Sequence, residues 1–286
     1  MIFIFIIAII LSGLILLFVL AGIICNHRLV TTKAEIISDK IPISFDGFKV
    51  LQISDLHNCA YSKDNKKLID AVRESAPDII AITGDMIDSR KTKPEVSIKL
   101  ATELVKIAPC YYVTGNHEAR LKEKAEDFIK KLTKEGVIYL DNKVAEITRQ
   151  DEKILLLGVK DPFHYWTKEY FNRSEIMREN LRKITTSDEK NFRILLSHRP
   201  ETFDVYTEFG IDVSLTGHAH GGQIRLPFIG GLFAPCQGFS PEYTSGLHTK
   251  HSTNLLVSRG LGNSSFPLRI FNPPEIVLLK LTSKTK

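Results

Sequence analysis

The stretch KVLQISDLHNCAYSKDNKKLIDAVRESAPDIIAITGDMID, residues 49–88, decides the fold class. Residues 49–54 form a largely apolar run of strand length and residues 78–83 form a second, the pattern of strands buried on both faces. Between them, residues 64–75 carry Leu68, Ile69 and Val72 at helical spacing. Outward from this core, residues 94–107 repeat the helical period, residues 110–114 are a third strand, and residues 121–135 continue as a helix. The order βαβαβ predicts a largely parallel sheet with right-handed crossovers.

Past residue 135 the rhythm changes, and residues 137–140, 144–148 and 153–159 read as consecutive strands joined by short turns. A second βαβ-like passage has strands at 192–196 and 211–215, and Gly- and Pro-rich loops from 221 to 241 lead to closing strands at 254–258 and 275–281. Neither repeats nor low-complexity stretches interrupt this alternation. Two packed mixed sheets with helices outside accommodate all of it.

Five of these strands end in a short polar motif: Asp55 and His57 (SDLH), Asp85 (GDMID), Asn116 and His117 (GNHE), His198 (LSHRP), and His218 with His220 (GHAH). Ligand-binding residues of α/β sheets gather at the carboxyl ends of strands, so groups far apart in sequence converge there. Taken one at a time, an Asp after a strand is equally a helix cap, and a buried His is more often a hydrogen-bonded core residue. Five of the nine histidines falling in five such motifs make one constellation instead.

This series resembles the calcineurin-like metallophosphoesterase superfamily, and GHAHGGQIRLP, GLFAPCQG and SRGLGNSSFPLRIFNPPEI resemble its membrane-anchored bacterial subgroup. The resemblance runs from about Asp46 to Leu281. It implies an α/β fold, a four-layer αββα sandwich of two mixed β-sheets flanked by helices, with the site at the strand ends. It also implies that Asp55, His57 and His220 hold one metal, that Asn116, His198 and His218 hold the other, and that Asp85 bridges both, with His117 catalytic. Asp88 follows Asp85 where the purple acid phosphatase branch of the superfamily has a tyrosine ligand, so an iron–tyrosine site is not expected; Asp88 is expected to orient a ligand by hydrogen bonding.

The chemistry of the residues agrees with the resemblance. A phosphate ester repels hydroxide, so hydrolysis needs positive charge on the phosphoryl oxygens and a nucleophile available near neutral pH. Two divalent metals supply both by clamping oxygens and acidifying a bridging water. Imidazole and oxygen donors without thiolate suit manganese first, with iron or zinc as alternatives. His117 has the pKa range of a general acid for the leaving alkoxide, and the alternative is that it only orients substrate. Arg199, Arg259 and Asn263 read either as phosphate contacts or as structural residues. Phe163, Tyr165 and Trp166 follow Asp161 in a loop placed to cap a substrate, with at least one of them expected in the core.

Residues 1–25 contain no charged side chain and have a membrane-spanning length. The basic start, shorter apolar stretch and small residues of a cleaved signal are poorly met, and Ile24 is too large to precede a lipid-modified Cys25. The chain therefore divides into an anchor at 1–26, a linker with a first strand at 27–45 and a catalytic domain at 46–286, and a truncation near Asp46 is expected to fold. Arg28 and Lys33 favour a cytoplasmic catalytic domain, though two charges leave the side open. Cys25, Cys59, Cys110 and Cys236 lack metal-finger spacing and are expected as free thiols.

Apolar and charged fractions of 43% and 25% are those of a globular protein, and a net charge of +5 mixed along the chain excludes the clustered basic footprint of a nucleic-acid binder. The expected activity is phosphodiester or pyrophosphate cleavage of a lipid-linked or membrane-proximal substrate, by a monomer. Some members of the family cleave the pyrophosphate of UDP-diacylglucosamine, by resemblance only. Competing readings are a phosphomonoesterase or nuclease using the same site, and a metal-binding scaffold without catalysis.

Overall fold

The computed structural model describes residues 1–167, 172–185, 190–263 and 266–284. The first half runs α1 (Ile2–His27), β1 (Val30–Ser38), β2 (Lys49–Ile53), α2 (Lys66–Ser75), β3 (Ile79–Thr83), α3 (Pro94–Leu104), β4 (Cys110–Val113), α4 (Asn116–Leu121), α5 (Glu123–Lys134) and β5 (Ile138–Tyr139). Next come β6 (Lys143–Arg149), β7 (Glu152–Gly158), α6 (Arg173–Ile184), β8 (Arg193–Leu196), α7 (Phe203–Glu208) and β9 (Val213–Thr216). Four two-residue strands follow, β10 (Arg225–Leu226), β11 (Gly230–Gly231), β12 (Phe233–Ala234) and β13 (Gly238–Phe239). The last elements are β14 (Gly246–Lys250), β15 (Thr253–Val257) and β16 (Glu275–Ser283).

Two six-stranded mixed sheets result, ordered β1-β16-β2-β3-β4-β5 and β14-β15-β9-β8-β7-β6. In the first, β2 to β5 are parallel and β16 runs antiparallel to β2. In the second, β7, β8, β9 and β15 are parallel, with antiparallel β6 and β14 at the edges.

Strand side chains alternate between faces, and that alternation builds the layers. Leu51, Ile53, Ile80 and Ile82 pack with Leu68, Val72, Leu100, Leu104 and Phe128 of the helices outside the first sheet. Their neighbours Val50, Ile79 and Ala81 turn the other way and meet Ile154, Leu156, Ile194, Leu196, Val213 and Leu215 of the second sheet. On that sheet's outer face Leu155, Leu157 and Leu195 pack with Met177 and Leu181 of α6 and Tyr206 of α7. The order is helix, sheet, sheet, helix: the four-layer αββα sandwich.

Two elements differ from the expectation. The helix expected over 121–135 is α5, and before it stands the unexpected short helix α4, separated from it by Lys122 with φ 50 and ψ −119. The gain is that α4 starts at the end of β4, so Asn116 and His117 occupy a first helical turn. The second is α6, which the sequence reading passed over, although Ile176, Met177, Leu181 and Ile184 form a buried stripe between its charges. Among the cysteines, all four are free thiols, Cys110 in the core and Cys59 packed against it.

The segment before Asp46 also belongs to the sandwich. β1 pairs with β16 over nine residues, from Val30 opposite Glu275 to Ser38 opposite Ser283. Ile36, Ile41 and Phe45 are buried between the sheets. Burying each such side chain contributes about 1.5–3 kcal/mol. A chain beginning at Arg28 is therefore expected to fold, while one beginning at Asp46 should lose at least about 4.5 kcal/mol by the same count. Urea denaturation of the two truncations checks this: equal midpoints would show that β1 and the turn after it contribute nothing.

Candidate metal centre

The polar motifs at the ends of β2, β3, β4, β8 and β9 meet at one buried place. Asp55, His57, Asp85, Asn116, His117, His198, His218 and His220 are all at least nine-tenths buried. Five of them, Asp55, His57, Asp85, His218 and His220, have positive φ values between 47 and 65. Left-handed backbone is uncommon outside glycine, although Asp and His tolerate it better than most residues, and strained conformations cluster at functional sites. Asp55, Asp85 and His218 each lie two residues past a strand end, and His57 and His220 two residues further on. Glycines make the close approach possible: a Cβ on Gly115 would lie 2.3 Å from Asp85 Oδ1, and one on Gly217 would lie 2.2 Å from Asp55 Oδ2.

Two groups of donor atoms are assembled, one from Asp55, His57 and His220 and the other from Asp85, His198 and His218, each with its atoms within 4.8 Å of one another. In the first, His57 Nε2 lies 3.2 Å from His220 Nε2 and 3.9 Å from Asp55 Oδ1, and His220 Nε2 lies 3.4 Å from Asp55 Oδ1. Donors about 2.1 Å from a common ion stand roughly 3.0–3.4 Å apart, so these separations have the right scale. Asp85 Oδ2 faces both groups, 3.6 Å from His57 Nε2 and 3.2 Å from His198 Nε2. Its other oxygen accepts the His117 backbone N–H at 2.8 Å. The Asp85 carboxylate thus meets both groups through one oxygen.

Two orphaned atoms test whether these residues suit a cation. Asn116 Oδ1 is buried and has no hydrogen-bond partner. His198 donates from Nδ1 to the Thr83 carbonyl at 2.8 Å, which turns its Nε2 lone pair toward Asp85 Oδ2. A lone pair and a carboxylate oxygen at that distance repel unless a proton or a metal ion lies between them. Burial opposes charge on His198, yet the Asp85 carboxylate outweighs it and pushes the imidazole up to about 10. His57 is lowered by burial to about 3, and His218 and His220 are lowered well below the usual range by the same cause. Burial thus favours the neutral form of these three imidazoles. Burial, with the Asp85 charge adding to it, raises Asp55 to about 6. The residues fit divalent cations.

His117 sits in a separate group with His57 and Asp88. Its Nδ1 accepts the Ser89 backbone N–H at 3.0 Å and lies 3.6 Å from Asp88 Oδ1. Burial lowers its pKa, favouring the neutral ring with the proton on Nε2. Asp88 Oδ2 is also 4.0 Å from His57 Nδ1, so Asp88 stands between His57 and His117.

The surrounding supports include several residues that the motifs do not announce. Glu118 accepts N–H bonds from Asp85, Ile87 and Gly115, tying the ends of β3 and β4 together. Its place at the third position of α4 is that of the acidic partner in a capping box, a signal present in GNHE. Ser54 Oγ donates to Asp55 Oδ2 at 2.6 Å. Arg269 is fully buried, with Nη2 at 3.4 Å from His220 Nδ1, and Asn272 Nδ2 donates to the His220 carbonyl at 2.7 Å. They fall within the SRGLGNSSFPLRIFNPPEI stretch, but no ligand motif marks either as part of the site, because they reach it from a loop 49 and 52 residues beyond His220.

Arg199 binds the Asp161 carboxylate through Nε at 2.6 Å and Nη2 at 3.0 Å, and its Nη1 lies 2.8 Å from His218 Nε2. Arg259 pairs with Glu275 and Thr32, and Asn263 accepts from Arg269 Nε at 3.0 Å. All three are structural in this arrangement. Phe163, Tyr165 and Trp166 all stay outside the core, which corrects the expectation that at least one serves it. Phe163 stacks on Trp166 at 5.9 Å, and with Arg120 the two line a hollow of about 730 Å³ beside α4 and α5.

Comparison with known proteins places this geometry. The profile of the Calcineurin-like phosphoesterase family matches residues 48–222. The uncharacterized metallophosphoesterase YkuE of Bacillus subtilis is 32% identical over 261 residues, covering 90% of this chain and 87% of that protein. Phosphodiesterase YaeI of Escherichia coli is 28% identical over 242 residues, 82% of each chain. The UDP-2,3-diacylglucosamine pyrophosphatase LpxG of Chlamydia muridarum is 28% identical over 277 residues, covering 82% of this chain and 83% of that one. With strand-end motifs, buried donor groups and family profile coinciding on one stretch of sequence, the chain belongs to the calcineurin-like phosphoesterase family and is a metal-dependent hydrolase.

Proposed function

We propose that this protein is a phosphodiesterase or pyrophosphatase that acts on a lipid-linked or membrane-proximal substrate from a single membrane anchor. The observation that carries the reading is Asp85 Oδ2, which faces His57 on one side and His198 on the other. In this reading Asp55, His57 and His220 hold one divalent cation, Asn116, His198 and His218 hold a second, and Asp85 touches both. Manganese is the first choice, with iron or zinc as alternatives, since the donors are imidazole and oxygen. Two such cations, when bound, place positive charge against the phosphoryl oxygens and acidify a water held between them.

The chain's own residues do the rest. Asn116 contributes a neutral oxygen, so the donor set does not cancel the positive charge. The Ser89 N–H bonded to His117 Nδ1 leaves the neutral ring with its proton on Nε2, from which it donates a hydrogen bond to the departing oxygen. Full transfer of that proton requires the imidazolium form, with a second proton on Nδ1 facing Asp88 Oδ1 at 3.6 Å, so that loss of the Nε2 proton returns the ring to neutral. Glu118 and Ser54 hold Asp85 and Asp55 in place through the bonds described above.

The lipid component rests on two supports. α1 has the length, 26 residues, and the apolar composition to cross a bilayer. LpxG, which aligns over most of both chains, is named for a diacylated sugar nucleotide.

Activity on bis(p-nitrophenyl) phosphate and p-nitrophenyl phosphate, measured side by side on the manganese-loaded full chain in detergent, tests the reading. Diester cleavage is expected to dominate and to disappear on chelation. Asp85→Asn should lower the content of both metals together, measured by elemental analysis, with turnover down at least about a hundredfold. Retention of both metals by that variant would remove Asp85 from the bridging place. His117→Ala should keep its metal and lose about 10²–10⁴-fold in turnover, most for esters with poor leaving groups. An equal loss across leaving groups would assign His117 to positioning instead of proton donation.

A further inference from the structure

The end of α1 is built into the catalytic domain. Val19, Gly22, Cys25 and Asn26 form a helical stripe that is buried or half-buried, in a helix whose other described residues are exposed. A Cβ on Gly22 would lie 2.9 Å from Ile270 Cδ1 and 3.3 Å from Leu268 Cβ. Asn26 donates to the Pro267 carbonyl at 2.8 Å and accepts the Arg269 N–H at 3.0 Å, and the Asn272 N–H reaches Cys25 Sγ at 3.2 Å. This seam fixes the depth of the loop around residues 266–272. The 26 residues of α1 extend about 39 Å at 1.5 Å per residue, against a hydrocarbon thickness of about 30 Å. Centred in the bilayer, the helix overhangs by about 4–5 Å at each end. Gly22 is five residues from the end at His27, about 7.5 Å along the axis, so it and its partners Leu268 and Ile270 lie about 3 Å inside the hydrocarbon boundary.

A second loop shares this level. Ile224 bridges Ile270, the Arg225 N–H bonds to the Ile270 carbonyl at 2.9 Å, and the hairpin of β10 and β11 rises from there. At its tip Phe228 is fully exposed and Ile229 is 68% exposed, and together with Phe271, 64% exposed, they line one open hollow. Phe228 and Phe271 both have positive φ, 68 and 49. A bulky residue in that conformation costs energy, and exposing an aromatic ring to water costs more, so the two costs fall on the same residues. Burial of those rings in lipid offsets both. The same chain segment carries His220, four residues before Ile224, and Asn272 and Arg269 hold His220 from the other loop.

We propose that the tips of the 224–231 and 266–271 loops insert into the leaflet that α1 leaves, forming an apolar rim that seats the metal centre at the bilayer surface. The occupant of this rim is phospholipid, and the substrate class it selects is a phosphate ester whose lipid portion stays in that leaflet. The inference rests on the reading of α1 as a membrane span.

Trp166 is the one tryptophan of the sequence, so Trp166→Phe gives a silent background for single reporters. The full chain carrying Phe18→Trp, Phe228→Trp or Phe271→Trp in that background is reconstituted into phosphatidylcholine vesicles with or without bromine on the acyl chains near the headgroup. Phe18→Trp reports the span, and the other two report the rim. Brominated lipid should reduce the fluorescence of all three reporters on the order of twofold or more, with the rim reporters shielded from aqueous acrylamide. Quenching at position 18 without quenching at 228 and 271 overturns the rim and leaves the anchor standing. No quenching at position 18 overturns the membrane reading and the rim with it. A second measurement uses Phe228→Ser with Phe271→Ser: turnover of a vesicle-borne lipid phosphodiester should fall while that of soluble bis(p-nitrophenyl) phosphate is unchanged. Equal turnover of the lipid substrate by this variant counts against the rim.

Discussion

The organising constraint of this molecule is the burial of two carboxylates, Asp55 and Asp85, among imidazoles, three of which, His57, His218 and His220, burial pushes down. Both lie within 4.0 Å of His198 Nε2, and no lysine or arginine pairs with Asp85 in the described residues. Buried negative charge without a partner is costly, and the protein meets that cost with backbone N–H groups: His218 donates to Asp55 and His117 donates to Asp85. These bonds place the carboxylates without neutralising them. The remaining charge is what a divalent cation answers, and it is the same charge that pushes the His198 imidazole up.

The sandwich exists to hold that arrangement against strain. Five left-handed turns at the strand ends each cost on the order of 1–3 kcal/mol, a sum that a loose loop would relax. Here each turn leaves a strand whose side chains are close-packed on both faces, and Glu118 bolts two of the strand ends together. Both sheets contribute, with Asp55, Asp85 and Asn116 from the first and His198, His218 and His220 from the second. Tight packing between Val50, Ile79, Leu196 and Leu215 therefore governs the distance between the two halves of the site. Core packing and site geometry are one problem in this fold.

The outer supports extend the same logic to the anchor. Arg269 and Asn272 touch His220 with their side chains, while their own backbone N–H groups are bonded to Asn26 Oδ1 and Cys25 Sγ of α1. Helix, loop and His220 form a continuous series of contacts, so the orientation of the domain relative to α1 is set within a few ångströms of the site. Arg199 plays the matching part on the other side, joining His218 to Asp161.

Much of this was legible in the sequence because it depends on local pattern. The apolar runs at β2, β3 and β4 announce strands buried on both faces, and the polar motif after each one marks where functional groups gather. Asp55, His57, Asp85, Asn116, His117, His198, His218 and His220 all arrive in one cluster, as those motifs imply. What the pattern does not carry is anything that depends on distance across the fold. The choice of a single Asp85 oxygen for both donor groups follows from where the His117 N–H comes to rest after β4 packs beside β3. Arg269 and Asn272 sit in a stretch without a metal-binding motif, and Phe163 and Trp166 look like core residues until the helices leave them outside it. Ile36, Ile41 and Phe45 precede the recognisable domain, yet they complete the inter-sheet core because β1 adds to β16 from the far end of the chain. Residue type and spacing determine what chemistry the chain holds; tertiary packing decides which atoms of those residues face one another, because such contacts join positions that local periodicity never compares.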